Sequence, residues 1–342
     1  MVDPLTALVV ASVLLVLPIV LFWPGWGLAW RWRRGLAASD RIRVEDALKH
    51  LWDGEYRQLP VTLESLAGAL GLGGREAAEL VERLGRLDLV RHDARGMHLT
   101  TEGSRHALRV VRIHRLWERY LADETGLDAR EWHSRAERKE HHTTDEQADA
   151  LAATLGNPRF DPHGDPIPMS SGEVPPFQGT PLTQLAPDEV GAIVHIEDEP
   201  EAVFAQIAAT GLVPGMRVRV LERSSQRIRL AAETEEVVVA PVVAANITVL
   251  PIEAPVDARP MTPLSALGPG EQGEVIALAT SCRGVQRRRL LDLGLVPGTV
   301  VTHELRGPSG DPTAYRIRGA LIALRREQAD QIYVQKRAEA AS

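Results

Sequence analysis

Cysteine is nearly absent: Cys282 is the single thiol in 342 residues. A lone thiol excludes a disulfide framework and any thiolate-rich zinc cluster, and it fits a reducing compartment. There is no surplus of basic residues either. Lys and Arg number 39 against 46 Asp and Glu, for a formal net charge of −7. Bulk charge therefore does not draw the chain to nucleic acid, and DNA binding has to rest on a local patch. Enzyme signatures are missing too. The sequence holds no HExxH, no GxSxG elbow and no phosphate-binding glycine loop, so it reads as a non-enzyme.

Aromatic residues make up only 4% of the chain, yet Trp23, Trp26, Trp30 and Trp32 crowd into one short segment. They follow Leu5–Trp23, "LTALVVASVLLVLPIVLFW", an uncharged run of about 20 residues, the length that spans a hydrocarbon core of ~30 Å. "RWRR" at Arg31–Arg34 comes next, and Asp3 precedes the run. Charge on the far side of the run predicts a single-pass anchor in a bacterial cell membrane, with the N-terminus outside and the bulk of the chain cytoplasmic. A cleaved signal peptide needs a basic start and a small-residue cleavage site; "MVDP" offers neither. Residues 24–40 read as a juxtamembrane linker.

Beyond the linker the pattern turns helical to about Leu155. A loop dense in Pro and Gly follows, "FDPHGDPIPMSSGEVPPFQG" at Phe160–Gly179. Alternating runs such as "MRVRVLE" and "EVVVAPVV" then read as strands. They belong to an internal repeat. "TPLTQLAPDEVGAIVHI" from Thr180 aligns with "TPLSALGPGEQGEVIAL" from Thr262, and "GLVPGMRVRVLE" from Gly211 with "GLVPGTVVTHEL" from Gly294. One inserted residue separates the two blocks, and "PIEAPVDARP" links the copies. Short strands, a Pro-Gly turn and a central helical piece such as "RRRLLDLGL" predict a small, partly open barrel in each copy.

In the helical half, "VEDALKHLWDGE" predicts a first helix and "TLESLAGALGL", with Thr62 as N-cap, a second. "GLGG" turns the chain into a third, "REAAELVERLGRLDL", and "VRHDARGMHLTTEG" reads as a two-stranded wing. This is the winged-helix order, whose second helix-turn-helix member enters the major groove. Winged helices also bind proteins. The third helix carries Glu76, Glu79 and Glu82 beside Arg75, Arg83 and Arg86, and carboxylates repel phosphate. The candidate DNA-facing residues are Arg75, Glu79, Arg83 and Arg86, with Arg91 and Arg95 of the wing.

"HALRVVRIHRLWERY" predicts a helix with His114 and Glu118 on one face. In "HSRAERKEHH", His133, Glu137 and His141 stand at i, i+4 and i+8, with Glu140 beside them. Facing helices would present an imidazole–carboxylate cluster without thiolate, which suits Mn²⁺, Fe²⁺ or Zn²⁺. The competing reading is a solvated charged face, which His142, Arg135, Arg138 and Lys139 fit.

"TEGSRHALRVVRIHRLWERYL", "GLDAREWHSRAERKEHH" and "PHGDPIP" together resemble the diphtheria-toxin-repressor family of metal-dependent regulators, over roughly Arg41–Ser170, and especially its manganese-responsive branch. "PLSALGPGEQGEV", "RRRLLDLGLVPGT" and "GDPTAYRIRG" resemble the FeoA-type domain, an SH3-like barrel linked to ferrous iron uptake. The resemblance implies an α+β multidomain protein. Its parts are a winged helix-turn-helix at 40–104, a helical metal-binding and dimerisation domain at 105–170, and SH3-like barrels at 180–251 and 262–338; the transmembrane anchor and linker read from the apolar run at 1–39 depart from that family. It further implies a homodimer binding DNA and repressing metal-uptake genes, with Mn²⁺ or Fe²⁺ as effector held by Asp46, His114, Glu118, His133, Glu137, Glu140 and His141. Oxygen donors at Asp46 and Glu137 match the manganese branch, whereas Lys49 departs from that branch's binuclear pattern. An ancillary ion would take a side chain from the first barrel, near Glu199 and Glu201. The second reading the features allow is a membrane-bound metal sensor or accessory of a ferrous iron transporter, with the barrels touching that transporter or another protein partner.

Overall fold

The computed structural model describes residues 28–93, 96–176, 178–232, 235–252, 261–308 and 310–337. They fall into two compact units that meet in sequence at Val111 and Arg112.

In the first unit, helix α1 (Leu28–Tyr56) is followed by α2 (Leu63–Leu70) and α3 (Gly74–Arg86), then by a hairpin of β1 (Val90–Asp93) and β2 (Gly96–Leu99). Sequence periodicity accounts for the packing. Ala47, Leu48, Leu51 and Trp52 of α1, Leu66 of α2, and Ala77, Leu80, Val81 and Leu84 of α3 form buried stripes at helical spacing. Thr62 caps α2 as expected: its side chain accepts from the Ser65 amide at 3.1 Å, and Ser65 Oγ accepts from the Thr62 amide. The hairpin register sets Val90 opposite Leu99 and His92 opposite Met97.

Two sequence expectations need correction here. Residues 28–40, read as a linker, are helical and continue into α1. Ala, Leu and Arg dominate that stretch, and no proline interrupts it between Pro24 and Pro60. The membrane localisation is also overturned as a statement about the structure: among the described residues no helix is long and apolar enough to cross a membrane. Helix α1 is long enough but carries Arg31, Arg33, Arg34, Asp40, Arg41 and Arg43. The run Leu5–Trp23 lies outside the described residues.

Helix α4 (Thr101–Glu124) leads into the second unit, where α5 (Trp132–Glu140) and α6 (Asp145–Thr154) follow. Ile113 and Leu116 of α4 pack with Ala148 and Ala152 of α6 and with Ile167 of the Pro-rich loop. Among its described residues that loop contains no helix or strand, in keeping with its composition, although Phe160 and Pro166 form an isolated bridge.

The internal repeat folds twice into the same topology. The first copy has β3 (Thr180–Pro181), β4 (Val190–Ile196), α7 (Glu201–Ala209), β5 (Arg217–Arg223), β6 (Ile228–Ala232), β7 (Glu235–Val239), α8 (Pro241–Ala244) and β8 (Ile247–Ile252). The second has β9 (Thr262–Pro263), β10 (Gln272–Leu278), α9 (Gly284–Asp292), β11 (Val300–Arg306), β12 (Thr313–Ile317), β13 (Ala320–Leu324), α10 (Arg326–Asp330) and β14 (Ile332–Lys336). The strand orders are β3-β8-β4-β5-β6-β7 and β9-β14-β10-β11-β12-β13, both antiparallel throughout. Even the bulges correspond: between Ile193 and His195 and again between Val275 and Ala277, and between Val220 and Glu222 and again between His303 and Leu305. Gly191 and Gly273 occupy equivalent places. A Cβ there would sit 3.0–3.1 Å from Leu185 and Val249, or 2.9 Å from Val334, so each sheet needs its glycine where strand meets core. "APVV", read as strand, instead turns into α8, with Pro241 at its first turn.

Candidate metal centre

Helix α4 turns His114, Arg115 and Glu118 inward beside the apolar Ile113 and Leu116, and all five are buried. On α5 the inward residues are His133, Ala136 and Glu140, at i, i+3 and i+7. The sequence expected the stripe to continue through His133, Glu137 and His141. Helix α5 ends at Glu140, so His141 sits in the following turn, and the Glu137 side chain is 55% exposed. Arg135, Arg138, Lys139 and His142 are exposed on the outer side.

Glu118 is the hub. Its Oε1 lies 3.0 Å from His114 Nε2 and 3.3 Å from His133 Nδ1. The ligating atoms of His114, Glu118 and His133 all lie within 4.8 Å of one another. His114 Nδ1 contacts Glu140 Oε2, and Glu140 Oε1 lies 3.4 Å from His141 Nε2. Glu137 approaches only the rim, at 3.9 Å from His133 Nε2. Asp46 lies half-buried on α1, in the first unit.

Two further residues join the hub. His163 belongs to the Pro-rich loop and is 3% exposed. Asp198 follows β4, in the place where the sequence pointed to Glu199 and Glu201. Glu118 Oε2 and Asp198 Oδ2 each lie 3.8 Å from His163 Nδ1, and Asp198 Oδ2 lies 3.0 Å from His133 Nδ1. Glu199 Oε1 stands 3.6 Å from His133 Nε2 and is largely exposed, while Glu201 opens α7. The signal for His163 was present in "DPHGDPIP": three titratable residues at every second position of a proline-rich loop. Asp198 was hidden in the acidic run "EDEPE", which resembles a solvated turn.

The loop is locked in place. Asp161 Oδ1 accepts from the amides of His163, Gly164 and Asp165, each at 2.9 Å. The His163 carbonyl accepts from the Ile196 amide at 2.8 Å. Gly164 has φ 98°, and a Cβ there would meet the Val194 carbonyl oxygen at 1.9 Å. Only glycine permits that approach.

Burial opposes ionisation of Glu118, yet His114, His133 and His163 hold its carboxyl well below the usual range. Burial alone would lower the two histidines. Asp198 and Glu118 override it and push His133 up to about 11, and Glu118 with Asp198 push His163 up to about 10. Asp198 is held low, against burial, by His133 and His163. The cluster thus holds protons where a cation competes for the same atoms. His133 Nδ1 and both ring nitrogens of His163 are buried and make no hydrogen bond of good geometry among the described residues. Buried polar atoms rarely go without a partner, and these imidazoles and carboxylates fit a hard or borderline divalent ion.

The candidate DNA-facing residues sit apart from this cluster in sequence. On α3 the side chains of Arg75, Glu79 and Arg86 are 60–91% exposed. Each arginine has an acidic neighbour: Arg75 Nε to Glu79 Oε1 at 2.9 Å, Arg83 Nη1 to Asp40 Oδ2 at 3.1 Å, Arg86 Nη1 to Glu82 Oε1 at 3.9 Å. Arg91 is exposed on β1. Arg95 lies outside the described residues.

Comparison with known proteins agrees with this layout. Residues 100–169 match the model of the iron dependent repressor, metal binding and dimerisation domain, and residues 180–251 and 262–336 match the FeoA domain. The chain is 31% identical to the iron-dependent repressor IdeR of Mycobacterium leprae over 191 residues, 52% of this chain and 83% of that protein. It is 38% identical over 126 residues to the diphtheria toxin repressor of Corynebacterium glutamicum, 36% of this chain and 55% of the relative. Among solved structures, a manganese-dependent transcriptional repressor in complex with manganese superposes with a TM-score of 0.57 at 32% identity, over 61% of this chain and all of that one.

Proposed function

This chain belongs to the iron-dependent repressor family of metal-dependent transcriptional repressors, and from that premise we propose that Mn²⁺ or Fe²⁺ is its effector, bound where α4 and α5 gather His114, Glu118 and His133. The carrying observation is the buried, thiolate-free cluster inside the segment that matches the repressor metal-binding domain. Asp198 supplies the side chain from the first repeat. Glu140 and His141 form a second group of ligands, with Glu137 at its edge, and Asp46 stays in the ligand set on sequence grounds alone.

The finer domain assignment follows the same reading. Residues 40–104 act as a winged helix-turn-helix, 105–170 as the dimerisation domain, and 180–251 and 262–338 as SH3-like barrels. The protein works as a homodimer on operator DNA and is assigned no reaction. Arg75, Glu79, Arg83 and Arg86 of α3, with Arg91 and Arg95, face the DNA. A bound divalent ion would offset the repulsion among Glu118, Asp198 and Glu140, which otherwise rely on protonated histidines. A ligand shifts a conformational equilibrium only by its differential affinity, so this dependence on positive charge is what makes the arrangement sensitive to metal.

The test is retention of fragmented genomic DNA by the full-length protein, with Mn²⁺ or Fe²⁺ supplied and then chelated. Metal-dependent retention that falls steeply with salt is expected. Failure to retain any fragment in the presence of metal refutes the proposal.

A further inference from the structure

We propose that the two repeat modules pair across molecules: strand β7 of one chain adds antiparallel to strand β13 of a second copy of this chain. The starting point is charge. Residues 180–251 hold ten acidic and five basic residues, whereas residues 262–338 hold seven acidic and eleven basic ones. One fold therefore occurs twice in the chain with opposite sign. Opposite potentials on two surfaces steer them together, and like-with-like contact is penalised.

The equivalent edges of the two sheets are where that difference acts. Strand β7 bonds only to β6 and β13 only to β12, so among the described residues each leaves one side of its backbone without a neighbouring strand. Such a row of N–H and C=O groups templates another strand, and proteins ordinarily blunt it with proline, bulges or charge. Strand β13, "ALIAL", holds neither proline nor charge. Both outer hairpins pair without a bulge. Apolar side chains stand in the open on the two edges: Val238 is 56% exposed and Leu321 54%.

The two strands match in length and pattern. Each spans five residues, Glu235–Val239 and Ala320–Leu324. Full antiparallel overlap sets Val238 opposite Leu321 on the exposed face. On the other face it sets Val237 opposite Ile322, each packed at the margin of its own core. Glu236 then lies diagonal to Arg325, a spacing that long side chains bridge. Glu236 is 62% exposed and meets Arg229 only at 3.5 Å. Arg325 and Arg326 are exposed and form no ion pair among the described residues. Overlap of β13 with itself instead brings Arg318 at one end of the strand toward Arg325 and Arg326 of the other copy, and like charges so placed repel. Bare backbone and exposed apolar side chains are what a strand recognises and phosphate does not. The edge geometry thus favours a protein partner over DNA for the basic module.

A contact of β7 with β13 joins unlike surfaces, and it predicts complementation. The full-length protein is followed by sedimentation velocity over a series of concentrations at low and high salt. Wild type is expected to associate beyond its smallest species as concentration rises, and more so at low salt. Leu321→Arg charges the β13 edge and Val238→Arg the β7 edge, and each variant alone should lose that association. A mixture of the two should regain it, because one supplies an intact β7 and the other an intact β13. Arg325→Glu is the milder change where an edge variant does not fold. It should weaken association, and Glu236→Arg added to the same chain should restore it. A wild type that stays at its smallest species at every concentration, single edge variants that still associate, or a mixture that does not regain association overturns the proposal. If the wild type stays small and Arg325→Glu lowers retention of genomic DNA, the basic module meets phosphate and the pairing of β7 with β13 is refuted.

Discussion

Arg115 of α4 and Asp165 of the Pro-rich loop form a largely buried ion pair, Nη2 to Oδ1 at 3.1 Å, and the same guanidinium donates to the Pro166 carbonyl at 2.6 Å. Burial opposes ionisation of Asp165, but Arg115 and His195 overcome it and hold the carboxyl below its ordinary value. Breaking a buried pair by deleting one partner costs about 3–5 kcal/mol, because the other charge stays buried. Arg115→Met is therefore expected to lower the unfolding free energy by that amount, read from the urea midpoint. The pH sign follows from the depressed folded value: the stabilisation is present above ~pH 3.9, the unfolded carboxyl's value, and is lost as pH falls through the folded one. An unfolding midpoint unchanged in the variant would dismiss the pair as a clamp.

Gly164→Ala tests the loop from its backbone. The added methyl would have to displace the Val194 carbonyl, at a φ that L-residues avoid. A strained left-handed residue costs about 1–3 kcal/mol, and the collision adds to it. Both the thermal midpoint and Mn²⁺ affinity should fall, because His163 is carried on the same loop. A drop in stability with wild-type affinity would uncouple the loop from the cluster.

Metal and protons compete for His133. Its folded value of about 11 lies above the ordinary 6.5, so in the metal-free protein the charged ring stabilises the fold fully below about pH 6.5, and that stabilisation is lost as pH rises through about 11. Mn²⁺ binding has to displace the proton, so affinity should rise with pH. Calorimetric titrations in two buffers of different ionisation enthalpy should report roughly one or more protons released per ion. Binding heats independent of buffer would contradict the ligand role of His133.

On α3 the acidic residues can be separated from the basic ones. Glu79→Gln removes the 2.9 Å partner of Arg75 and a charge that repels phosphate. Metal-loaded Glu79→Gln is expected to bind DNA more tightly than wild type. Arg75→Ala should bind more weakly, with the slope of log affinity against log salt reduced by ~0.9 for each phosphate that is no longer neutralised. Fluorescence anisotropy on a retained fragment decides it; identical salt slopes would remove Arg75 from the interface.

Much of this was legible in the sequence because it is local. Apolar spacing marks the buried faces of α1 and α3, Thr62 marks the start of α2, and the repeated "GLVPG" marks matching turns in the two sheets. His114 and Glu118 share a helix face through the i, i+4 rule alone. What escaped depends on long-range packing. No periodicity reveals that α5 stops at Glu140 and leaves Glu137 wet, because the stop is set by Thr143, which bonds back to Lys139, and by Thr144, which caps α6. His163 and Asp198 are 35 residues apart, and only the loop's docking on β4 brings them together. The helicity of residues 28–40 was obscured by neighbouring prolines and tryptophans that drew the reading toward a membrane boundary.

The internal repeat divides labour between two copies of one fold. Both copies keep the strand order, the bulges and the core glycine, but only the first has a carboxylate where Asp198 stands. The corresponding "ATSCR" of the second holds no acid, and from it Arg283 reaches the carbonyls of Pro162 and Pro214 at 3.2 and 3.3 Å. The first copy thus places a carboxylate beside His133 and His163, while the second places a guanidinium against the loop that carries His163. The two jobs, charge beside the cluster and support of its loop, therefore rest on separate modules of one fold.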